Sequence, residues 1–217
     1  MSGDSTPIQV TEVFRSLQGE SSFAGLPCVF VRLTGCALRC VWCDSAYAFH
    51  GGTRRTVGEV AAEVLGHRVS LVELTGGEPL EQEGFYPLCE TLLDAGLTVL
   101  VETGGHVPLD RVDPRAIKVV DVKCPGSGME SSNLLDNLAL LGPRDEVKFV
   151  VADRRDFDFA VDLVRRHALT RVLVSPVFEG KASPIAAEVA EWVRDAGLPM
   201  RLNLQLHKLL WGDAPGR

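Results

Sequence analysis

The sequence contains no long hydrophobic run, no extended basic cluster and no second group of closely spaced cysteines. Its apolar runs, such as residues 119–120 and 172–174, are short, whereas a helix needs about 20 apolar residues to cross a bilayer. The sequence has 22 Lys and Arg residues and 29 Asp and Glu residues, which gives a net charge of −7. Its basic clusters are no longer than a pair such as Arg54-Arg55. We therefore expect neither a membrane span nor a protein that grips nucleic acid through its phosphates.

A signal for export is also missing. Residues 1–9 are polar and include no apolar core of a signal peptide. Disulfides are uncommon in proteins that stay in the cytoplasm, so clustered thiols there favour metal binding. With 217 residues, of which 46% are hydrophobic, the chain can bury a full core. We expect one cytoplasmic domain spanning residues 1–217.

Strand-like and helix-like patterns alternate along most of the chain. The strand-like runs are rich in β-branched residues, which is typical of buried strands. Strands are predicted over residues 8–14, 29–33, 69–74, 97–101, 117–122, 146–151, 171–174 and 202–206. About six β/α units result, without repeats or low-complexity tracts. Since eight units normally need roughly 250 residues, we predict an α/β fold, an incomplete (β/α)6 TIM-like barrel.

Helix signals lie between the predicted strands. Thr56 and Glu59 form a capping box in front of an apolar stripe. A second helix, starting at Phe85, is stopped by Gly96. Further helices are expected around residues 134–141, after a cap at Asp153, and from Ser183-Pro184 to Gly197.

Polar or glycine-rich segments follow the carboxyl ends of five predicted strands. They are a cysteine-containing loop after residue 33, Gly76-Gly77-Glu78, Glu102-Thr103, Asp121 to Lys123, and Ser175-Pro176. Turn formation would explain any one of them. In parallel β/α folds, however, the carboxyl ends of the strands form the rim where ligands bind. Five such segments together favour a functional site.

Three cysteines form the strongest motif, Cys36, Cys40 and Cys43, with the spacing C-x3-C-x2-C and Trp42 before the last thiol. Three thiolates can bind a soft metal centre. Closed zinc sites and ferredoxin clusters need four ligands, and the remaining cysteines are scattered singly. Two interpretations stay open, a three-thiol zinc loop completed by a distant His and a [4Fe-4S] cluster with one iron free for another ligand.

The cysteine motif resembles that of the radical S-adenosylmethionine (SAM) superfamily. Gly76-Gly77-Glu78-Pro79 resembles the second signature of that superfamily, in which glycines let the backbone approach the methionine moiety. Further motifs point to one family within this superfamily. They are Leu17-Gln18-Gly19-Glu20, Arg32, Cys43-Asp44-Ser45 and Gln205-Leu206-His207-Lys208. With these motifs, the chain resembles the 7-carboxy-7-deazaguanine synthases over nearly its whole length.

The resemblance implies a specific reaction. Members of this family are lyases that convert 6-carboxy-5,6,7,8-tetrahydropterin to 7-carboxy-7-deazaguanine with loss of ammonia, for queuosine and other deazapurines. The implied cofactors are a [4Fe-4S] cluster, SAM and Mg²⁺, and the implied partners are an electron donor such as flavodoxin or ferredoxin and a second copy of the chain. Residues 1–28 would supply an N-terminal strand and a substrate loop, and the tail 200–217 would lie near the mouth of the site.

Residue roles are carried over from the same resemblance. The cluster ligands would be Cys36, Cys40 and Cys43, with Mg²⁺ at Ser45. The contacts to SAM would be Trp42, Cys43, Asp44, Gly77, Glu78, Asp121, Val122, Lys123, Ser175, Pro176, Val177 and Phe178. The substrate contacts would be Leu17, Gln18, Gly19, Glu20, Arg32, Thr75, His207 and Asp213. The chemistry suits these roles, because the amino-amide edge of a pterin needs acceptors such as Glu20 and its carboxylate suits the guanidinium of Arg32.

The chain departs from the family pattern in two places. Ser45 stands where Thr is common, and it retains a hydroxyl for Mg²⁺. Some members close the substrate pocket with a chain-terminal carboxylate shortly after the His-Lys pair, whereas here the tail is longer. Asp213, six residues after His207, is the predicted replacement, and the terminus at Arg217 is the rival.

Two other functions remain open at the level of sequence. Glycyl-radical-activating enzymes share the cysteine spacing and a compact barrel, but they would not need Gln18, Arg32 or His207. A zinc-binding module without catalytic activity would need only the thiols.

Overall fold

The computed structural model describes residues 4–180, 182–212, 214 and 216. Asp213 and Arg217, the two predicted sources of a carboxylate in the tail, lie outside the described residues. The strands are β1 (Pro7–Leu17), β2 (Pro27–Leu33), β3 (Thr53–Thr56), β4 (Leu71–Gly76), β5 (Thr98–Thr103), β6 (Ile117–Asp121), β7 (Glu146–Val151), β8 (Val172–Pro176) and β9 (Met200–Leu202). The α-helices are α1 (Val57–Gly66), α2 (Phe85–Asp94), α3 (Arg154–His167), α4 (Ala186–Ala196) and α5 (Leu206–Trp211).

The strands form one sheet in the order β3-β1-β2-β4-β5-β6-β7-β8-β9. Neighbouring strands are parallel from β2 through β4 to β9, whereas β1 runs antiparallel to both β2 and β3. The predicted α/β fold, an incomplete β/α barrel, is confirmed. Among the described helices, none is long and apolar enough to cross a membrane.

Local signals set most helix ends as expected. Thr56 and Glu59 form the predicted capping box of α1, Asp153 accepts a hydrogen bond from the N–H of Asp156 to cap α3, and Gly197 ends α4 in a left-handed conformation. Four-residue β3 was not predicted, because it is a short edge strand whose first half is exposed.

Three predicted elements differ from the structure in type or in bounds. The segment 134–141 contains a 3-10 helix, Leu135–Leu140, and no α-helix. Its buried Asn137 donates to the carbonyls of Gly105 and Val107 (3.0 and 2.9 Å), which draws the segment onto the loop after β5. Helix α4 begins at Ala186 rather than at Ser183, and no side chain caps it. In the tail, β9 ends at Leu202, and α5 starts at Leu206 where a strand was expected.

The two faces of the sheet differ in character. The outer face packs against the helices in the main core, through residues such as Val31, Leu74 and Val101. The inner face begins with a small apolar layer formed by Cys28, Leu71, Leu100 and Ile117. Because side chains alternate along a strand, the next inward positions on β4 and β5 are Glu73 and Glu102. The interior is therefore apolar at the amino ends of the strands and charged nearer their carboxyl ends.

Candidate active site

The cysteine loop follows β2 and lies across the carboxyl ends of neighbouring strands. The N–H of Ala37 donates to Glu81 (3.0 Å), and the N–H of Val41 donates to the carbonyl of Ser127 (3.0 Å). The first contact ties the loop to the segment after β4 and the second to the segment after β6. The loop is thereby held over the rim that the sequence predicted as the site.

Gly77 allows the closest approach between the two signature motifs. A Cβ at Gly77 would lie 1.7 Å from the carbonyl oxygen of Gly35, the residue before Cys36. Gly35 itself has φ of +99°, which favours glycine, and its carbonyl accepts a hydrogen bond from the N–H of Glu78 (2.7 Å). The turn after β4 and the start of the cysteine loop thus pack backbone against backbone.

The three thiols are free and half-buried. Burial raises the pKa of Cys36 to about 11 and also raises the pKa of Cys40, so both thiols must lose a proton to bind iron. Cys28, Cys89 and Cys124 are also free, and all three are buried. In the described part of the chain, no three His, Cys, Asp or Glu side chains converge tightly enough to hold a single ion. A cluster does not require such convergence, since its thiolates bind different irons.

The carboxylate of Glu78 is fully buried beneath the rim. It accepts hydrogen bonds from the hydroxyl of Thr103 (2.8 Å) and the N–H of Gly104 (2.7 Å), and so ties the turn after β4 to the end of β5. Burial raises the pKa of Glu78. Its side chain and its N–H are both used within the protein, so the predicted contact with SAM would fall to its carbonyl.

Sequence reasoning missed a link between the cysteine loop and the segment after β5. Glu81, which accepts from the N–H of Ala37, also contacts Nε2 of His106 (2.9 Å). The other ring nitrogen of His106 lies 3.7 Å from Glu78. His106 follows the Gly104-Gly105 turn in sequence, and this position gave no signal on its own.

Most residues predicted to contact SAM gather near the cysteine loop. Lys123 pairs with Asp121 across 2.8 Å at the end of β6, while Oδ1 of Asp121 is buried without a hydrogen-bond partner among the described residues. The indole of Trp42 lies against Gly126, where a Cβ would come within 3.0 Å of the ring. The hydroxyl of Ser175 instead faces the barrel interior and accepts from Asn203 (2.9 Å).

The predicted substrate loop and the tail contact each other. The N–H of Leu206 donates to the carbonyl of Gly19 (2.9 Å), and the imidazole of His207 lies directly on Gly19. Burial lowers the pKa of His207. The same tail reaches the cysteine loop, because Gln205 donates to Asp44 (3.1 Å). Burial alone would raise the pKa of Asp44, but the charge of Lys208 and this hydrogen bond lower it.

Arg32, the predicted partner of the substrate carboxylate, forms hydrogen bonds within the protein. Its Nε donates to Glu12 (2.8 Å), and one terminal nitrogen donates to the carbonyl of Gly76 (3.2 Å). Tyr47 donates to the same oxygen of Glu12 (2.6 Å). The guanidinium therefore sits beside the signature turn, in a position fixed by Glu12. Thr75, also predicted, is buried on β4 next to that turn.

The interior contains charged groups that the sequence analysis did not assign to the site. Lys148 on β7 forms ion pairs with Glu20 (3.3 Å) and Glu102. Glu73 on β4 accepts a hydrogen bond from the amide of Gln18. One sequence signal could have indicated these groups: a single charged residue inside an apolar strand, as in Val72-Glu73-Leu74 and Val147-Lys148-Phe149. Because burying an unpaired charge is costly, such a residue is expected to have a charged or polar partner in the interior.

These features define a class of protein. The parallel β/α sheet and its three-cysteine rim loop form a radical SAM domain, and residues 30–120 match the sequence model of the Radical SAM superfamily. The fold resembles the crystal structure of QueE from Escherichia coli, with a TM-score of 0.75, 24% identity, and coverage of 93% of this chain and 95% of that one. It also resembles TYW1 with a lysine-pyruvate adduct bound, at a TM-score of 0.59 and 12% identity, covering 78% of this chain and 72% of that one.

Full-length relatives specify the family. The chain is 46% identical to 7-carboxy-7-deazaguanine synthase from Koribacter versatilis, covering 94% of this chain and 97% of the relative. It is 45% identical to the enzyme of that name from Chlorobaculum tepidum, with 97% of each chain covered. The Thermoplasma acidophilum relative of the same name is 36% identical, over 95% of this chain and 99% of its own. The chain belongs to the 7-carboxy-7-deazaguanine synthase family.

The contact between Gly19 and His207 leads to a testable prediction. A Cβ on Gly19 would lie 2.0 Å from Nδ1 of His207, so Gly19→Ala must displace the imidazole from the pocket. We expect the Michaelis constant for the pterin to rise about tenfold, equivalent to about 1.4 kcal/mol, with cluster content unchanged. Steady-state kinetics and iron analysis provide the measurement.

A double variant identifies the cause. If the clash with His207 is responsible, Gly19→Ala should add little further loss to His207→Ala, because the two changes remove the same contact. Fully additive losses, or a harmless Gly19→Ala, would contradict this account of the tail.

Proposed function

We propose that this chain converts 6-carboxy-5,6,7,8-tetrahydropterin to 7-carboxy-7-deazaguanine with loss of ammonia, as a lyase of queuosine and other deazapurine biosynthesis. The observation that carries the proposal is that the tail joins the other two elements beside the charged barrel interior. It contacts the loop at Gly19 through Leu206 and His207, and it contacts Asp44, next to Cys43, through Gln205. The pocket therefore lies directly beside the cysteine loop.

The cofactor residues support radical chemistry at this position. Cys36, Cys40 and Cys43 would hold a [4Fe-4S] cluster, and the cluster with SAM supplies homolytic removal of a hydrogen atom from a bound substrate. The buried Oδ1 of Asp121, for which the described residues supply no hydrogen-bond partner, is an acceptor that a polar group of SAM can satisfy. The absence of a side chain at Gly77 lets the turn after β4 pack against Gly35, directly before the first cluster cysteine.

The interior carboxylates suit the amino-amide edge of a pterin. Glu20 is held by Lys148 (3.3 Å) and by the amide of Asn203 (3.5 Å). Burial raises the pKa of Glu20 to about 7, although the charge of Lys148 opposes the shift. A carboxylate accepting from both an amino group and a ring N–H makes a directional, charge-assisted contact worth about 1.5–3 kcal/mol per hydrogen bond. Glu20 therefore orients the ring, while Arg32 provides positive charge near the signature turn.

We further propose that Mg²⁺ binds at Ser45 together with substrate oxygens. The hydroxyl of Ser45 lies 3.8 Å from the sulfur of Cys43 and is accessible from the rim. A hard cation selects oxygen ligands and keeps several waters or ligand groups. A homodimer, a cytoplasmic location and an electron donor such as flavodoxin or ferredoxin are parts of the same proposal, supported by the resemblance to the family.

Ser45→Ala is expected to weaken the Mg²⁺ dependence and to slow turnover, because it removes the one protein oxygen proposed for the ion. Cluster content should remain that of the unaltered protein. The matched control is Ser45→Thr, which keeps the hydroxyl and should keep the Mg²⁺ response. Titration of turnover with Mg²⁺ is the measurement, and an unchanged response in the Ala variant would remove Ser45 from the Mg²⁺ site.

Binding of the pterin separates this function from a glycyl-radical-activating enzyme or a zinc module. We expect 6-carboxypterin to bind the purified protein by equilibrium titration in the presence of SAM, and a glycine-containing peptide not to compete. Arg32→Met should weaken binding of 6-carboxypterin more than binding of pterin without the carboxylate. Saturable competition by the peptide, with no affinity for the pterin, would overturn the proposal.

A further inference from the structure

Three carboxyl groups meet in the interior around one ammonium group. The side chains of Glu20 and Glu102 are 15% and 24% exposed, and Glu73 as a residue is only 4% exposed. Within the part of the chain that the structure describes, the ion pairs formed by this group all go to Lys148. Three ionised carboxylates with one cation would leave two uncompensated negative charges in the interior. Burial of such charge is expensive enough that a carboxyl group takes up a proton instead.

The geometry identifies which carboxyl carries the proton. Lys148 contacts Glu20 and Glu102, whereas no ion pair joins it to Glu73 in the described structure. Glu73 lies diagonally across from Glu102 on the neighbouring strand, since its register partner is Leu100. The carboxyl groups of Glu73 and Glu102 interact with each other, and a hydrogen bond between them requires a hydrogen on one of the two. With Lys148 stabilising the charge on Glu102, the hydrogen belongs on Glu73.

The pKa values agree with this arrangement. Burial raises the pKa of Glu73 well above its ordinary value, and the neighbouring charges of Glu102 and Glu20 raise it further. Burial also acts to raise the pKa of Glu102, but the charge of Lys148 outweighs it and lowers the value.

We propose that Glu73 is a neutral carboxylic acid that acts as the positioning residue for the pocket floor. Its O–H donates to Glu102, and its other oxygen accepts from Nε2 of Gln18. The opposite end of the Gln18 amide then accepts from the N–H of Glu20 (2.9 Å). A single uncharged group thus connects β4, β5 and the substrate loop, and it fixes which way the Gln18 amide faces. The proposal rests on the proposed function for its assignment of the pocket to substrate.

Infrared spectroscopy tests the protonation state without any turnover. At about pH 7.5, where an ordinary Glu is ionised, the protein should show the C=O stretch of a protonated carboxylic acid, shifted in D₂O. The band should lose intensity in Glu73→Gln and be unchanged in Glu146→Gln, the matched control, whose carboxylate is equally buried but paired with Arg171 (3.1 Å). A band missing from the unaltered protein, or equally intense in Glu73→Gln, would overturn the proposal.

Stability against pH provides a second test. A carboxyl group whose folded-state pKa is raised must take up a proton on folding when the pH lies between its ordinary value near 4.5 and the raised value. The unaltered protein should therefore lose stability relative to Glu73→Gln as pH rises from that value, by about tenfold in the unfolding equilibrium constant per pH unit, until the raised pKa is reached. The facing groups Cys28, Glu20, Glu102 and Lys148 are common to both proteins. A pH-independent difference would contradict a neutral Glu73.

Kinetics distinguish hydrogen bonding from charge. Glu73→Gln keeps a donor toward Glu102 and an acceptor toward Gln18, so we expect turnover within about threefold of the unaltered protein. Glu73→Leu keeps neither and should raise the Michaelis constant for the pterin at least tenfold, with SAM binding unchanged. Equal losses in both variants would show that a negative charge is needed. If no pterin is turned over at all, the proposed function fails, while the infrared and stability results still decide the state of Glu73.

Discussion

Replacing Cys36, Cys40 or Cys43 singly with Ala is expected to abolish cluster assembly and activity. Each of the three thiols would bind its own iron, so the loss of one leaves the cluster without a ligand that the scattered cysteines cannot replace. Their loop is anchored at the N–H of Ala37 and of Val41 (both 3.0 Å), which keeps the other cysteines out of reach. Iron and sulfide content after anaerobic reconstitution, together with turnover, provides the measurement.

Cys89→Ala is the matched control for the thiol variants. Cys89 is 1% exposed within the apolar face of α2, so its replacement should leave the cluster and activity largely intact. A full cluster with normal turnover in any one of the three single variants would disprove the assignment of that residue. An equal loss in Cys89→Ala would assign the defect to folding.

Lys148→Met is expected to destabilise the fold by about 3–5 kcal/mol, because it removes the cation from a buried group of carboxylates. The ammonium is 7% exposed and contacts both Glu20 and Glu102. Denaturant unfolding at neutral pH gives the free energy of unfolding. The loss should shrink as the pH falls, since protonation of the stranded carboxylates removes their charge.

An exposed ion pair serves as the control for Lys148. Arg166 contacts Asp162 on the surface of α3, with both side chains more than half exposed, and Arg166→Met should cost no more than about 0.5 kcal/mol. A loss below about 1 kcal/mol for Lys148→Met would show that the interior carboxylates do not depend on this ammonium. The pocket floor would then need another explanation.

The sequence predicted the rim well because its signals are local. The cysteine spacing, the Gly76-Gly77 turn and the Gln18-Gly19 loop are short motifs that need no knowledge of packing. Their mutual contacts, such as Gly77 against Gly35, follow once the strands are placed in parallel. The family resemblance supplied the remaining roles, and the roles of individual residues in binding stay predictions.

The interior network could not be predicted in the same way. Whether Glu73 faces the barrel or the helices depends on strand register, and a shift of one residue reverses the answer. Glu20, an ion-pair partner of Lys148, lies 128 positions away in the sequence. Hydrophobic periodicity describes local structure and cannot predict a contact between residues so far apart. The misplaced start of α4 has a simpler reason, since Ser183-Pro184 fits the start of a helix but the chain is still turning there.

Turnover of 6-carboxy-5,6,7,8-tetrahydropterin tests the central claim most directly. The purified protein, reconstituted with iron and sulfide, would be incubated anaerobically with this pterin, SAM, a reductant and Mg²⁺. We predict formation of 7-carboxy-7-deazaguanine with one equivalent of ammonia, and no product from the Cys36→Ala protein or without SAM. A protein with a full cluster that binds SAM yet leaves the pterin unchanged would contradict the account.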